Sequence, residues 1–140
     1  MSLLIYIDTN VYIDLFEKRT DRLRPLDEFA FQLFRRVFDC EFNIVISSLV
    51  VEELEHNLHA EDIAKLKENL AENKKCVFVV ETDSDEKEAA MLAAARKTSF
   101  NDTKHAVLAW RAGAKYLVTR NVEDFSRLHD IVKIALPESI

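Results

Sequence analysis

"LLIYIDTNVYIDLF", Leu3 to Phe16, sets an apolar run against a polar triplet and then turns apolar again. Leu3 to Ile7 is short, apolar at every position and closed by a polar turn, the pattern of a strand buried inside a parallel sheet. Asp8 stands at its end. A carboxylate buried there without partners is strongly destabilising, so the rest of the chain must supply them. Asn10 is placed to cap a following helix whose core contacts are Val11, Ile13, Leu15 and Phe16.

Working outward, the pattern keeps alternating. Pro25 suits a first helical turn, and a helix from there to about Asp39 carries Leu26, Phe29, Leu33, Phe34, Val37 and Phe38 at the spacing of a buried stripe. "NIVIS", Asn43 to Ser47, reads as a second strand, with Ser47 or Ser48 capping the helix "LVVEELEHNLH". A helix over about Glu61 to Glu72 puts Ile63, Leu66 and Leu70 on one side. "CVFVV", Cys76 to Val80, is a third strand, and Ser84 or Asp85 starts an alanine-rich helix through about Lys97. "NDTKHAVLAWRAG" is a helix capped by Asn101 or Asp102 and stopped by Gly113 in the left-handed conformation. "KYLVT" and "VKIA", Val132 to Ala135, make the fourth and fifth strands. Strands alternating with helices predict one domain over residues 1–140, an α/β/α sandwich of three layers. Its central parallel sheet of about five strands should be covered on both faces.

Composition agrees. The 140 residues are 49% apolar with only 1 Gly and 2 Pro, which favours regular elements over disorder. Cys40 and Cys76 are too few for a disulfide framework and too far apart for a metal knuckle, so a reducing, cytoplasmic setting is expected. No apolar run approaches the roughly 18 residues of a membrane span. The apolar start lacks a preceding basic segment, so no signal peptide is expected. With 19 basic against 25 acidic residues the formal charge is -6, which argues against non-specific coating of DNA. It leaves room for a nucleic-acid enzyme whose local acids hold divalent cations.

In open α/β sheets ligands collect beyond the carboxyl ends of the strands, where strand order reverses. Asp8 follows the first strand, Glu52 and Glu53 open the helix after the second, Asp102 begins the helix before the fourth, and Asn121 lies just past that strand. Gathered at one edge, such acids repel one another unless cations occupy the space between them. An oxygen-rich set suits Mg²⁺ or Mn²⁺, which keep several waters and bind through few carboxylates.

The constellation resembles the PIN domain, a family of metal-dependent ribonucleases that includes the toxins of VapBC toxin–antitoxin pairs. An Asp-Thr-Asn triplet ends the first strand (Asp8, Thr9, Asn10). In "ISSLVVEEL" Glu53 precedes Leu54, and "DTKHAVLAWRAG" has the family's D-x-x-x-A-x-x-A form, identifying Asp102. The closing "VTRN" gives Thr119 and departs from the family pattern at Asn121, where an Asp is usual. Asn121 would weaken a second metal site or orient a water. Asp124 would compensate, unless it only caps a helix over a packed Phe125. The resemblance implies Asp8, Glu53, Asp102 and Asn121 as catalytic groups, and Asp8, Glu53, Asp102 and Asp124 as ligands of Mg²⁺ or Mn²⁺. Thr9, Asn10 and Thr119 would be supporting groups around them. It further implies cleavage of single-stranded or looped RNA to a 5′-phosphate and a 3′-hydroxyl. A homodimer neutralised by a small antitoxin, whose tail fills the groove, is the assembly it implies.

Plainer readings stand beside these. Asp8 and Asp102 can serve as helix caps, Glu52 and Glu55 as a solvated helix face, and Thr119 as a strand-end hydroxyl. His56 and His59 sit a turn apart but have no third zinc ligand at a useful spacing, so they read as surface residues. Asp83, Asp85, Glu86 and Glu88 read as the solvated start of a helix. The aromatics from Phe29 to Phe42 are core or a face for a partner, and Arg35, Arg36, Lys104, Arg111 and Arg120 are candidates for gripping RNA phosphates. Two other functions fit parts of the pattern. A phosphoaspartyl enzyme would need an acid beside Asp8 and a lysine at a later strand end, and both are missing. A non-catalytic PIN-like module for RNA or protein binding is kept open by Asn121.

Overall fold

A computed structural model describes residues 3–17, 25–39, 41–72 and 76–140; Cys40 lies outside the described residues. Five parallel strands, β1 (Leu3–Ile7), β2 (Phe42–Ser47), β3 (Cys76–Val79), β4 (Tyr116–Val118) and β5 (Lys133–Ala135), form one sheet in the order β3-β2-β1-β4-β5. β1 is central, with Tyr6 level with Val45 on one side and Leu117 on the other. The chain moves outward from β1 through β2 to β3, then crosses to the other side for β4 and β5. The strand order therefore reverses between β1 and β4, which is where such sheets open a ligand crevice.

Among the described residues six helices cover the sheet: α1 (Thr9–Glu17), α2 (Leu26–Phe38), α3 (Ser48–Asn57), α4 (Ala60–Glu72), α5 (Asp83–Arg96) and α6 (Phe100–Arg111). α1 packs on α2 and α3, and α5 packs on α6. Because the crossovers leave β1 in opposite directions, right-handedness sends α1 to α4 to one face and the α5–α6 pair to the other. Ile5, Tyr6 and Ile7 are fully buried between them, with Ile44, Val45 and Leu117 alongside. The three-layer parallel architecture expected from the sequence is the one observed.

Several local expectations need correction. α1 begins at Thr9, so Asn10 lies inside its first turn and does not cap it. Ser99, which the sequence reading passed over, caps α6 and accepts the backbone N–H of Asp102 at 3.0 Å. Thr82 caps α5 in a reciprocal box with Asp85. In α2 the buried stripe is Leu26, Ala30, Leu33, Phe34 and Val37, whereas Phe38 is exposed and Phe29 is half-buried. Tyr12 joins the core unforeseen, tilted against Phe34. β3 is an edge strand, so its apolar run is not covered on both faces: Val77 is 46% exposed and Phe78 58%. Gly113 has φ +79 after the last turn of α6, the left-handed stop expected of it.

Asp85 is the clearest departure. It is buried, not solvated, and takes a two-pronged bond from Arg111 at 2.8 Å and 2.8 Å while also accepting the Thr82 backbone N–H. Burial alone would raise its carboxyl, but the Arg111 bonds and Thr82 overcome this and hold it below the usual carboxylate range. Replacing Asp85 with Ala removes a cap and a charge-assisted arm, which together cost about 2 kcal/mol. A carboxyl depressed in the fold contributes stability above its unfolded value, near pH 4, and loses it as pH falls through the lower folded value. Urea denaturation of wild type and D85A should therefore differ by about 2 kcal/mol at pH 7, the gap narrowing in acid.

Candidate functional site

Asp8 sits one residue past β1, its N–H bonded to the Val118 carbonyl of β4 at 2.8 Å. It is only 7% exposed. Its Oδ1 accepts the Thr9 N–H at 2.8 Å, and its Oδ2 accepts the Thr119 hydroxyl at 2.9 Å. Thr119 Oγ1 in turn accepts the Asn10 side-chain amide at 3.2 Å and the Asn121 N–H at 3.1 Å. The triplet after β1 and the segment after β4 are thus stitched together around one carboxylate. Burial keeps the Asp8 carboxyl above its ordinary value despite the neighbouring His105 and the Thr119 bond.

Glu53 reaches the same region from α3, while Glu52 and Glu55 point to solvent as expected. Its Oε1 accepts the Thr9 hydroxyl at 3.0 Å and lies 2.6 Å from His105 Nε2; its Oε2 accepts the Asn101 amide at 3.0 Å. Burial would raise Glu53, but His105, Asn101 and Thr9 together hold its carboxyl below the usual range. Both acids face His105, whose Nε2 lies 3.7 Å from Asp8 Oδ1, yet they shift in opposite directions. Asp8 is the more deeply buried of the two, and Glu53 has the much shorter contact to His105; together these set the two directions apart.

Asp102 occupies the first turn of α6, partly buried. Burial raises its carboxyl, and the charges of Asp8 and Asp124 add to the rise. A cleft of about 210 Å³ beyond the ends of β1 and β4 is lined by Asp8, Glu53, Asp102 and Asp124, with Asn10, Asn101, Asn121 and His105. Asp124 and Asn121 belong to a 3₁₀ helix and its start (Val122–Leu128), anchored by the buried Phe125. Every acid singled out in the sequence as a metal ligand therefore reaches one cleft. Thr9, Asn10 and Thr119 bond the acids or one another.

Among the described residues, no three His, Cys, Asp or Glu side chains close into a compact cage. The donor set is nevertheless oxygen-rich, and apart from Glu53 Oε1, which already meets Thr9 and His105, its carboxylate oxygens can accept more than the bonds already made. It fits a hard ion that retains waters, such as Mg²⁺ or Mn²⁺, and does not fit a zinc-type cage.

His105 and Asn101 escaped the sequence reading. The signal was there: His105 stands at the head of an apolar run, four residues after Asn101 and three after Asp102, on one helix face. The basic residues proposed for phosphate contact are mostly committed elsewhere. Arg111 holds Asp85, Lys104 lies 2.8 Å from Glu81, Arg120 lies 3.1 Å from Asp14, and Arg36 bonds Glu41 and the Ile140 carbonyl. Arg35 is exposed, as are His56 and His59.

The chain belongs to the PIN domain family, whose sequence profile matches residues 5–130. No curated protein matches it significantly in sequence. Its fold is similar to chains of three solved toxin–antitoxin complexes. VapBC2 from Rickettsia felis, bound to a promoter DNA fragment, is 18% identical with TM-score 0.67, over 94% of this chain and 97% of the other. A toxin–antitoxin complex from Klebsiella pneumoniae is 21% identical with TM-score 0.64, over 99% and 100%. VapBC-1 from nontypeable Haemophilus influenzae is 19% identical with TM-score 0.66, over 96% and 98%.

A carboxyl raised in the fold is a charge the fold disfavours, so stability should rise as pH drops through its folded value towards the unfolded one, near pH 4. Asp102→Asn should accordingly stabilise the metal-free protein, by no more than about 1 kcal/mol. Differential scanning calorimetry at pH 7 without divalent ions reads this as a higher Tm for D102N than for wild type.

Proposed function

We propose that this PIN domain is a divalent-metal-dependent endoribonuclease, the toxin of a toxin–antitoxin pair. One observation carries the reading. Asp8, Glu53, Asp102 and Asp124, far apart in sequence, line one cleft at the point where strand order reverses. Asp8, Glu53 and Asp102 would hold Mg²⁺ or Mn²⁺, with Asp124 as a further acid of the same cleft. When bound, the ion would supply a water activated for in-line attack on an RNA phosphodiester. Thr119 and the Thr9 N–H fix both oxygens of Asp8, so its carboxylate would be held in place for an ion. Asn121, neutral in place of a carboxylate, would orient a water or a phosphate oxygen. With most nearby cations paired, the substrate's phosphates would be drawn chiefly by the ion, and the amides of Asn10 and Asn101 would contact exposed nucleotides.

The likeness to toxin–antitoxin complexes supports an antitoxin as protein partner, and a homodimer and a cytoplasmic location go with that assignment. Among the described residues, no helix is long and apolar enough to cross a membrane. A second reading, a non-catalytic binding module, is favoured by Asn121 and by the lack of a compact ligand cage. Phosphoaspartyl transfer is not supported, because no lysine lines the cleft among the described residues.

Cleavage of a structured RNA with Mn²⁺ should fall at least about 100-fold in Asp8→Asn and vanish with EDTA. Equal cleavage by both proteins, or cleavage indifferent to EDTA, would overturn the proposal; metal binding without cleavage by the wild type would favour the binding module.

A further inference from the structure

Behind the cleft runs a buried column of polar side chains that the proposed chemistry does not use. Ser47, at the end of β2, accepts the Val50 N–H at 3.1 Å. Its Oγ lies 2.7 Å from the Tyr6 hydroxyl, which lies 2.6 Å from His105 Nδ1. The far nitrogen of that ring meets Glu53 Oε1 at 2.6 Å. Ser47 and Tyr6 are fully buried and His105 is 1% exposed. Three stretches distant in sequence (β1, the end of β2 with α3, and α6) are joined by this one line of bonds.

We propose that His105, backed by Tyr6 and Ser47, is a positioning residue that sets which oxygen of Glu53 faces the cleft. The inference rests on reading the cleft as a cation site and extends it to three residues behind the acids. Hydrogen counting gives the column a direction. The Val50 N–H can only donate and an ionised Glu53 can only accept. Between those ends every group is satisfied when Ser47 donates to Tyr6, Tyr6 donates to Nδ1, and the ring's Nε2–H donates to Glu53. Reversing the inner bonds would leave the Ser47 hydroxyl to find another acceptor. The column thereby selects the Nε2–H tautomer, much as a carboxylate or carbonyl behind a ring selects the tautomer in metal sites.

The consequence falls on Glu53. With Thr9 and His105 both on Oε1, that oxygen is occupied, and Oε2, held only by Asn101, is the one available to the cleft. Loss of the ring's backing would free the carboxylate to rotate and share its oxygens differently. A column that served only as core packing would lower stability when cut but would leave the cleft's ion affinity alone.

Two full-length variants, Tyr6→Phe and His105→Gln, separate these roles. Calorimetric titration with Mn²⁺ should show affinity about 10-fold weaker in Y6F and between about 10- and 100-fold weaker in H105Q, measured where thermal melts show both folded. Two-bond ¹H–¹⁵N correlation spectra of the wild type at alkaline pH should show His105 protonated at Nε2 and bare at Nδ1. Variants that melt lower yet bind Mn²⁺ like the wild type overturn the proposal, as does an Nδ1–H ring, a result that needs no variant to fold. A wild type that binds no Mn²⁺ sinks the cation reading itself, and this proposal with it.

Discussion

The arrangement depends on one constraint: a carboxylate buried at the end of the central strand has to be satisfied by hydrogen bonds. Asp8 is surrounded by protein, and unpartnered it would be a severe liability. The Thr119 hydroxyl meets one oxygen and the Thr9 N–H the other. Because Thr119 follows β4 and Thr9 opens α1, satisfying Asp8 ties the two strands flanking the switch point to the helix that leaves it. Asn10 and the Asn121 N–H then converge on Thr119, drawing the segment after β4 to the mouth of the cleft. The fold and the site are consequently one construction. The same group that creates the burial problem is the one proposed to meet a cation.

The architecture was legible because it is written in periodicities. The strands β1, β2 and β4 are short apolar runs, the intervening helices carry three-or-four stripes, and Gly113 ends α6 where its φ requires it. The acids of the cleft were legible for a related reason. Each stands at a strand end or in a helix's first turns, which open sheets bring to one edge. Helix starts were read less well. Thr82 and Ser99 cap a residue or more before the positions chosen, since several Ser, Thr, Asp and Asn neighbours can serve and only the backbone path decides among them.

What the sequence hid are relations between distant side chains. Asp85 looked like one more member of an acidic run, and only the approach of Arg111 from another helix makes it a buried partner. His105 looked like one more polar letter in the opening turns of α6. Its meaning comes from Tyr6 on β1 and Ser47 on β2, and neither position hints at a partner about a hundred or fifty residues away. β3 was misjudged because an edge strand and a central one can carry the same apolar letters, and lateral position in the sheet is not encoded locally.

The Asp85–Arg111 bond has a mechanical side. α6 carries Asp102 and His105 near one end and Arg111 at the other. Nine residue steps of helix from Asp102 to Arg111 make a strut about 14 Å long. Its tail is bolted to the start of α5, so α6 can neither slide along the sheet nor roll about its axis without breaking that clamp. Alignment of two cleft residues is in this way underwritten by an ion pair at the opposite end of the rod, outside the cleft lining.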